Sequence, residues 1–140
     1  MAQTSTTLSG AKSHVENITG TDISFTASGG TNTISSTSTV LTGSGKLALR
    51  DLVTVSGTTN NNSTFTVKSI VSETEFTVEE IVTTESSDGS TTTTLDHSGF
   101  VTDKAKGDGY FSQPDGVHTV AYQVNSTMTG SIKMQGSLAT

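Results

Sequence analysis

Protein chemistry needs ionisable or nucleophilic side chains brought together, and this chain has few to bring. It carries three histidines, His14, His97 and His118, and no cysteine. No two of the histidines stand at ligand spacing, so without thiolates a zinc site would have to be assembled from distant His, Asp and Glu. Asp96-His97-Ser98 contains the residue types of a hydrolytic triad, but neighbours on an extended chain point apart and cannot form the relay. Asp103, Asp108 and Asp115 lie in one glycine-containing stretch and could offer oxygens to calcium. Neither the EF-hand spacing nor a glycine-aspartate nonapeptide accompanies them, and acids beside glycine ordinarily form turns. Gly43-Ser44-Gly45-Lys46 lacks two of the residues a phosphate loop requires and reads as a turn. Lys106-Gly107-Asp108 is too short to carry an adhesion reading. The sequons at Asn17, Asn61, Asn62 and Asn125 arise by chance in so threonine-rich a chain. No catalytic residue, metal site or cofactor is expected.

Binding candidates remain. Tyr110 and Phe111, beside Gly109 and Gln113, are an aromatic pair in a polar loop, the kind of feature that anchors a partner or a sugar. The competing reading is that they cap the open end of a β structure. His118, a few residues on, is taken with them as a contact candidate.

The elements that must position these residues are strands. From Asp51 to Glu80, β-branched or aromatic residues recur at every second position: Val53 and Val55, Phe65 and Val67, Phe76 and Val78. The links between them are rich in Gly, Asn, Ser and Thr. Such alternation puts one face inward and predicts an antiparallel meander. Upstream, ISFTA predicts a strand with Ile23 and Phe25 inward, Gly29-Gly30 a turn, and Thr33 to Leu41 one or two further strands. Downstream, Ile81 to Thr84 extends the third strand or begins another. Asp88-Gly89 marks a tight turn, and Ser90 to Leu95 returns as an edge strand. Asp96 to Asp115 reads as a loop. Val117 to Val124 and Met128 to Gln135 form a last pair joined at Asn125-Ser126-Thr127. The expected fold is all-β, an antiparallel meander, sandwich or small barrel. An extended N-terminal arm (1–21) precedes a β meander domain (22–98), and a short C-terminal β module (99–140) follows, or belongs to the same sandwich.

Composition bounds the rest. Of 140 residues, 30% are hydrophobic and 5% aromatic, so the core must be thin. About 50 residues are Ser or Thr, and threonine clothes a solvated sheet face without charge. One proline argues against a mucin-like stalk. A thin core and exposed strand edges favour stabilisation by association around a symmetry axis. A formal net charge of -6, with seven scattered Lys and Arg, argues against nucleic acid as a partner. No stretch approaches a membrane span, and the N-terminus lacks the basic start and apolar run of a secretory signal. The chain stops abruptly after a strand pattern, which suggests a longer protein.

Two stretches carry a resemblance. LRDLVTVSGTTNNNSTFTVKSIVSETEFTVEE, with its VSG turn, Asn-rich link and TFTV strand, resembles a β module that recurs in structural proteins of tailed bacteriophages. GDGYFSQPDGVHTVAYQVNSTMTGSIKMQGSLAT resembles the ending of virion proteins of tailed phages of marine cyanobacteria, in which GDGY, DG.HTV and TG.I.MQGSL follow in that order. The second is the more specific, because Gly107, Asp108, Gly109, His118, Gln135 and Gly136 fall in sequence; such relatives continue past the SLAT ending. The resemblance implies a non-enzymatic virion component, a head decoration or fibre protein that binds the particle surface and itself. A trimer is the expected oligomer, and the capsid protein or other virion proteins are the expected partners. The alternative it implies is a tail-associated adhesin that meets a host-surface glycan through Tyr110, Phe111 and loop acids. Assembly in the host cytoplasm and release by lysis would fit the missing secretory signal.

Overall fold

A computed structural model of the chain describes residues 7–9, 11–102, 121–124 and 129–134. The chain divides into two compact units, 1–105 and 106–140. Among its described residues the first holds seven strands: β1 (Ile18–Gly20), β2 (Ile23–Ser28), β3 (Thr31–Ser36), β4 (Asp51–Ser56), β5 (Thr64–Ser72), β6 (Glu75–Val78) and β7 (Thr93–Phe100). All pairings are antiparallel, and the strand order is β1-β7-β4-β5-β6-β3-β2.

That order dictates the shape. Its two ends, β1 and β2, are consecutive in sequence with only Thr21 and Asp22 between them. Three peptide steps reach about 11 Å, whereas six inter-strand steps of a flat sheet would separate the ends by about 29 Å. The sheet therefore curls back on itself as an open barrel. Strand β5 makes the corner. Its first residues, Thr64 to Thr66, pair with β4, whereas Val67 to Ser72 pair with β6 through register shifts at Val67/Ser69 and Ile70/Ser72. Bulges of this kind raise the local twist and bend a strand.

The alternating residues fill the inside. Ile23, Phe25, Ile34, Val53, Val55, Phe65, Val67, Phe76, Val78 and Leu95 are all buried in one cluster. Ile18 of β1 joins it, and residues outside the strands complete it: Val15 from the N-terminal side, Leu41 and Leu47 from the loop before β4, and Val82 after β6. Leu41 N–H donates to the Glu73 carbonyl at 2.8 Å and Leu47 N–H to the Leu41 carbonyl at 3.2 Å, which fixes that loop over the core.

Several expectations change. The stretch 1–21 is not all arm, since Val15 and Ile18 are core residues and Ile18–Gly20 forms β1 on β7. Residues Ile81 to Thr84 are not a strand. The chain leaves the sheet at Val78, and side chains take over the role of a neighbouring strand, Asn32 Oδ1 accepting from Val82 N–H and Asn61 Oδ1 from Thr83 N–H. The threonine run expected as an edge strand begins β7, an interior strand between β1 and β4 that continues through Asp96 to Phe100, residues expected in a loop. The first compact unit runs to Ala105. In the second unit, residues 121–124 and 129–134 form no strand; the remainder of the expected C-terminal pair, with its Asn125-Ser126-Thr127 link, lies outside the described residues.

Candidate functional site

Strand β7 points Thr93, Leu95 and His97 inward and leaves Asp96 and Ser98 exposed on the other face. Ser98 Oγ spends its proton on the Leu52 carbonyl at 3.3 Å, so the apparent triad is divided by the sheet itself. His97 instead belongs to a buried polar cluster that no local motif announces. Residues 11–17 run along the barrel as a strap without regular secondary structure. From that strap, Lys12 Nζ reaches Asp51 Oδ1 at 2.8 Å and the Leu49 carbonyl at 2.6 Å, with the Phe100 ring centroid at 5.8 Å. The Asp51 side chain is 3% exposed and that of Lys12 19%. The other carboxylate oxygen of Asp51 accepts the Ala48 N–H at 2.8 Å.

His97 closes the cluster. Its Nδ1 accepts the Val15 N–H at 3.3 Å, which places the ring proton on Nε2. Nε2 points toward Asp51 Oδ2 at 3.7 Å, too far for a hydrogen bond, and is a buried nitrogen without a hydrogen-bond partner. His14, exposed on the strap, brings its Nδ1 to 3.4 Å from His97 Nδ1, with the ring centroids 5.5 Å apart. One cation, one anion and two imidazoles thus join the strap to β4 and β7.

A second polar centre lies near β2. Glu85 pairs its backbone with Phe25 at 2.8 and 2.9 Å, while its carboxylate accepts from the N–H groups of Thr59 and Asn60 and from Asn61 Nδ2. Burial pushes the Glu85 carboxyl up, but these donors overcome it and hold the group below the usual range. Beside it opens a shallow cleft of about 170 Å³, lined by Phe25, Thr59, Ser87, Asp88 and Thr91 among others. The carboxylates there are taken up by donors of their own chain. Asp88 closes a turn by accepting from Ser90 N–H, Thr91 N–H and Thr91 Oγ, which hold it well below an ordinary carboxylate.

Asp22, at the β1–β2 junction, similarly gathers the hydroxyls of Ser36, Thr39 and Ser38 and the Ser38 N–H, and its carboxyl is strongly lowered by them. These arrangements hold loops; they offer no nucleophile beside a base. Among the described residues no three His, Asp and Glu side chains are placed to share a metal ion.

Gly43 to Lys46 forms a turn, with Lys46 N–H donating to the Gly43 carbonyl at 3.1 Å. Tyr110, Phe111 and His118 lie outside the described residues, as do Asp103, Asp108, Asp115 and Lys106-Gly107-Asp108. The residues that sequence reading missed, Lys12, Asp51 and Asn61, pair with groups 22 to 39 positions away and have no local signature. Asp88-Gly89 was legible, because an Asx turn is a local device. No known protein family, curated protein or solved structure matches the chain.

Proposed function

We propose that the chain is a structural subunit of a tailed-phage virion, a head decoration or fibre protein that self-associates and attaches to the particle, and that its role is assembly, not catalysis. The family reading rests on the sequence resemblance. The observation that carries the assembly role is the distal half of β5. From Lys68 to Ser72 this strand has β6 on one side and, among the described residues, no strand on the other. Ile70 is 44% exposed there and Val71 57%. Leu41 N–H binds the Glu73 carbonyl and Arg50 N–H the Val67 carbonyl. Those bonds bring the segments of Val40 and Leu49, both also exposed, alongside the same half-strand.

A strand edge that its own chain meets only near its two ends, at Val67 and at Ser72 and Glu73, with apolar side chains around it, is stabilised when another chain covers it. Covering surfaces in an oligomer or on a capsid lattice would do this for a barrel whose own core is small. The test is light scattering of the purified chain together with co-sedimentation with particles of the phage that encodes it. The expected result is an oligomer that sediments with particles, and loss of both in an Ile70→Asp, Val71→Asp double variant that still melts cooperatively. A monomer without particle affinity would end this reading.

A further inference from the structure

We infer that the N-terminal strap, residues 11–17, is an acid-releasable latch whose hold on the barrel depends on His97 and His14 being uncharged. The inference is independent of the virion reading, since it concerns only how this chain holds its own strap.

The latch is a matter of charge count and of donor and acceptor pairing. With both imidazoles neutral, the cluster holds one cation, Lys12, against one anion, Asp51, at 2.8 Å. His97 Nδ1 then has a lone pair for the Val15 N–H. A proton on that nitrogen turns the acceptor into a donor, so two N–H groups face each other across 3.3 Å and the Val15 amide loses its partner. His14 Nδ1, at 3.4 Å, can accept that proton in a hydrogen bond only while His14 is itself neutral. Once both rings are charged, the cluster holds three cations and one carboxylate, with the Asp51 and His97 side chains 3% and 5% exposed and the charged His14 ring against His97. The attraction of His97 Nε2 for Asp51 Oδ2 opposes this, but Asp51 is already engaged by Lys12 and the Ala48 N–H, and Nε2 stands at 3.7 Å.

Among the described residues no other charge is placed to compensate. Glu16 on the strap is exposed and does not enter the cluster, Asp96 lies on the opposite face of β7, and Arg50 beside Asp51 binds Glu79 at 3.0 Å. The strap is the part that can yield. It has no ladder of its own before Ile18, and two of its members, Lys12 and His14, would repel the charged His97.

Amide hydrogen exchange on the full chain tests this at about pH 7.5 and at about pH 5. Rates are corrected for the intrinsic effect of pH on exchange. The expected result is that protection of the Val15 amide falls by about tenfold or more in acid. Amides of Val53, Phe65, Val67 and Phe76 keep theirs. Unchanged protection at Val15, or an equal loss across the whole barrel, overturns the inference. In a His97→Gln variant the amide oxygen can accept the Val15 N–H without titrating, and the acid-dependent loss should shrink. His14→Gln, at an exposed position that leaves the core intact, should reduce it as well. Full acid release in both variants would also overturn the inference.

Discussion

Asn61 gives the sharpest test of how this barrel is closed. It sits in an Asn-rich link yet is 2% exposed, and its amide does for residue 83 what a paired strand would do. Asn61 Nδ2 donates to the Thr83 carbonyl at 3.0 Å, Oδ1 accepts the Thr83 N–H at 2.8 Å, and Nδ2 also reaches Glu85 at 2.8 Å. Asn61→Ala removes all three. At about 1 kcal/mol for each neutral bond and rather more for the one to a carboxylate, offset where exposed Thr83 regains water, the loss is about 2–4 kcal/mol. That is a large part of a domain stability of about 5–15 kcal/mol. With a urea m-value of about 2 kcal/mol/M, the unfolding midpoint falls by about 1–2 M. Asn62 provides the control, because its hydrogen bonds, to Thr58, stay within the exposed loop; Asn62→Ala should cost under about 1 kcal/mol. Asn61→Asp adds a sign test. It sets a second carboxylate against Glu85, which raises the proton affinity of the pair in the folded state. The deficit should therefore deepen as pH rises through that raised value and close below it. Equal urea midpoints for Asn61→Ala and Asn62→Ala would refute the clamp.

Phe76→Ala, at a fully buried position facing Ile34 and Ile70 across the sheet, should cost about 3–5 kcal/mol by thermal or urea unfolding. Gly57 has φ 81° and a Cβ there would run into the Thr92 carbonyl, whereas Gly29 has φ 56° with open space around it. Gly57→Ala should thus destabilise clearly more than Gly29→Ala, for which the left-handed backbone alone costs about 1–2 kcal/mol, and equal melting temperatures would contradict the close approach. The Asp22 carboxyl is lowered by its hydroxyl and N–H donors, so its contribution is present above the ordinary carboxylate value of about 4 and is lost as pH falls below it. Asp22→Asn should lower stability at neutral pH and flatten the acid limb of a stability-against-pH curve; an unchanged limb would show that the donors do not favour the ionised form.

The strands were legible wherever the alternation was local. Val53 and Val55, Phe65 and Val67, and Phe76 and Val78 face inward as their spacing requires, and β4, β5 and β6 pair in chain order. The same holds for Ile23 and Phe25 in β2 and for the turn at Gly29-Gly30. Residues 81 to 84 misled because β-branched composition describes a residue's preference, not whether a neighbouring strand has a free edge. The edge of β2 nearby is met by Glu85 and Thr84, and Val82 turns into the core. Threonines 91 to 94 looked like an edge because they are polar, but Thr93 faces the barrel interior and its strand lies between two others.

What the amino-acid order determined alone is the set of inward faces and tight turns, since period-two alternation and Asx or Gly turns act within a few residues. The pairing of β1 with β7 and the meeting of Lys12, His14, Asp51 and His97 belong to the tertiary structure. So does the use of Asn61 as a surrogate strand. Each joins groups far apart in sequence, and such pairs form only after the closed geometry has removed water from between them and left each buried polar group to find its partner within the fold.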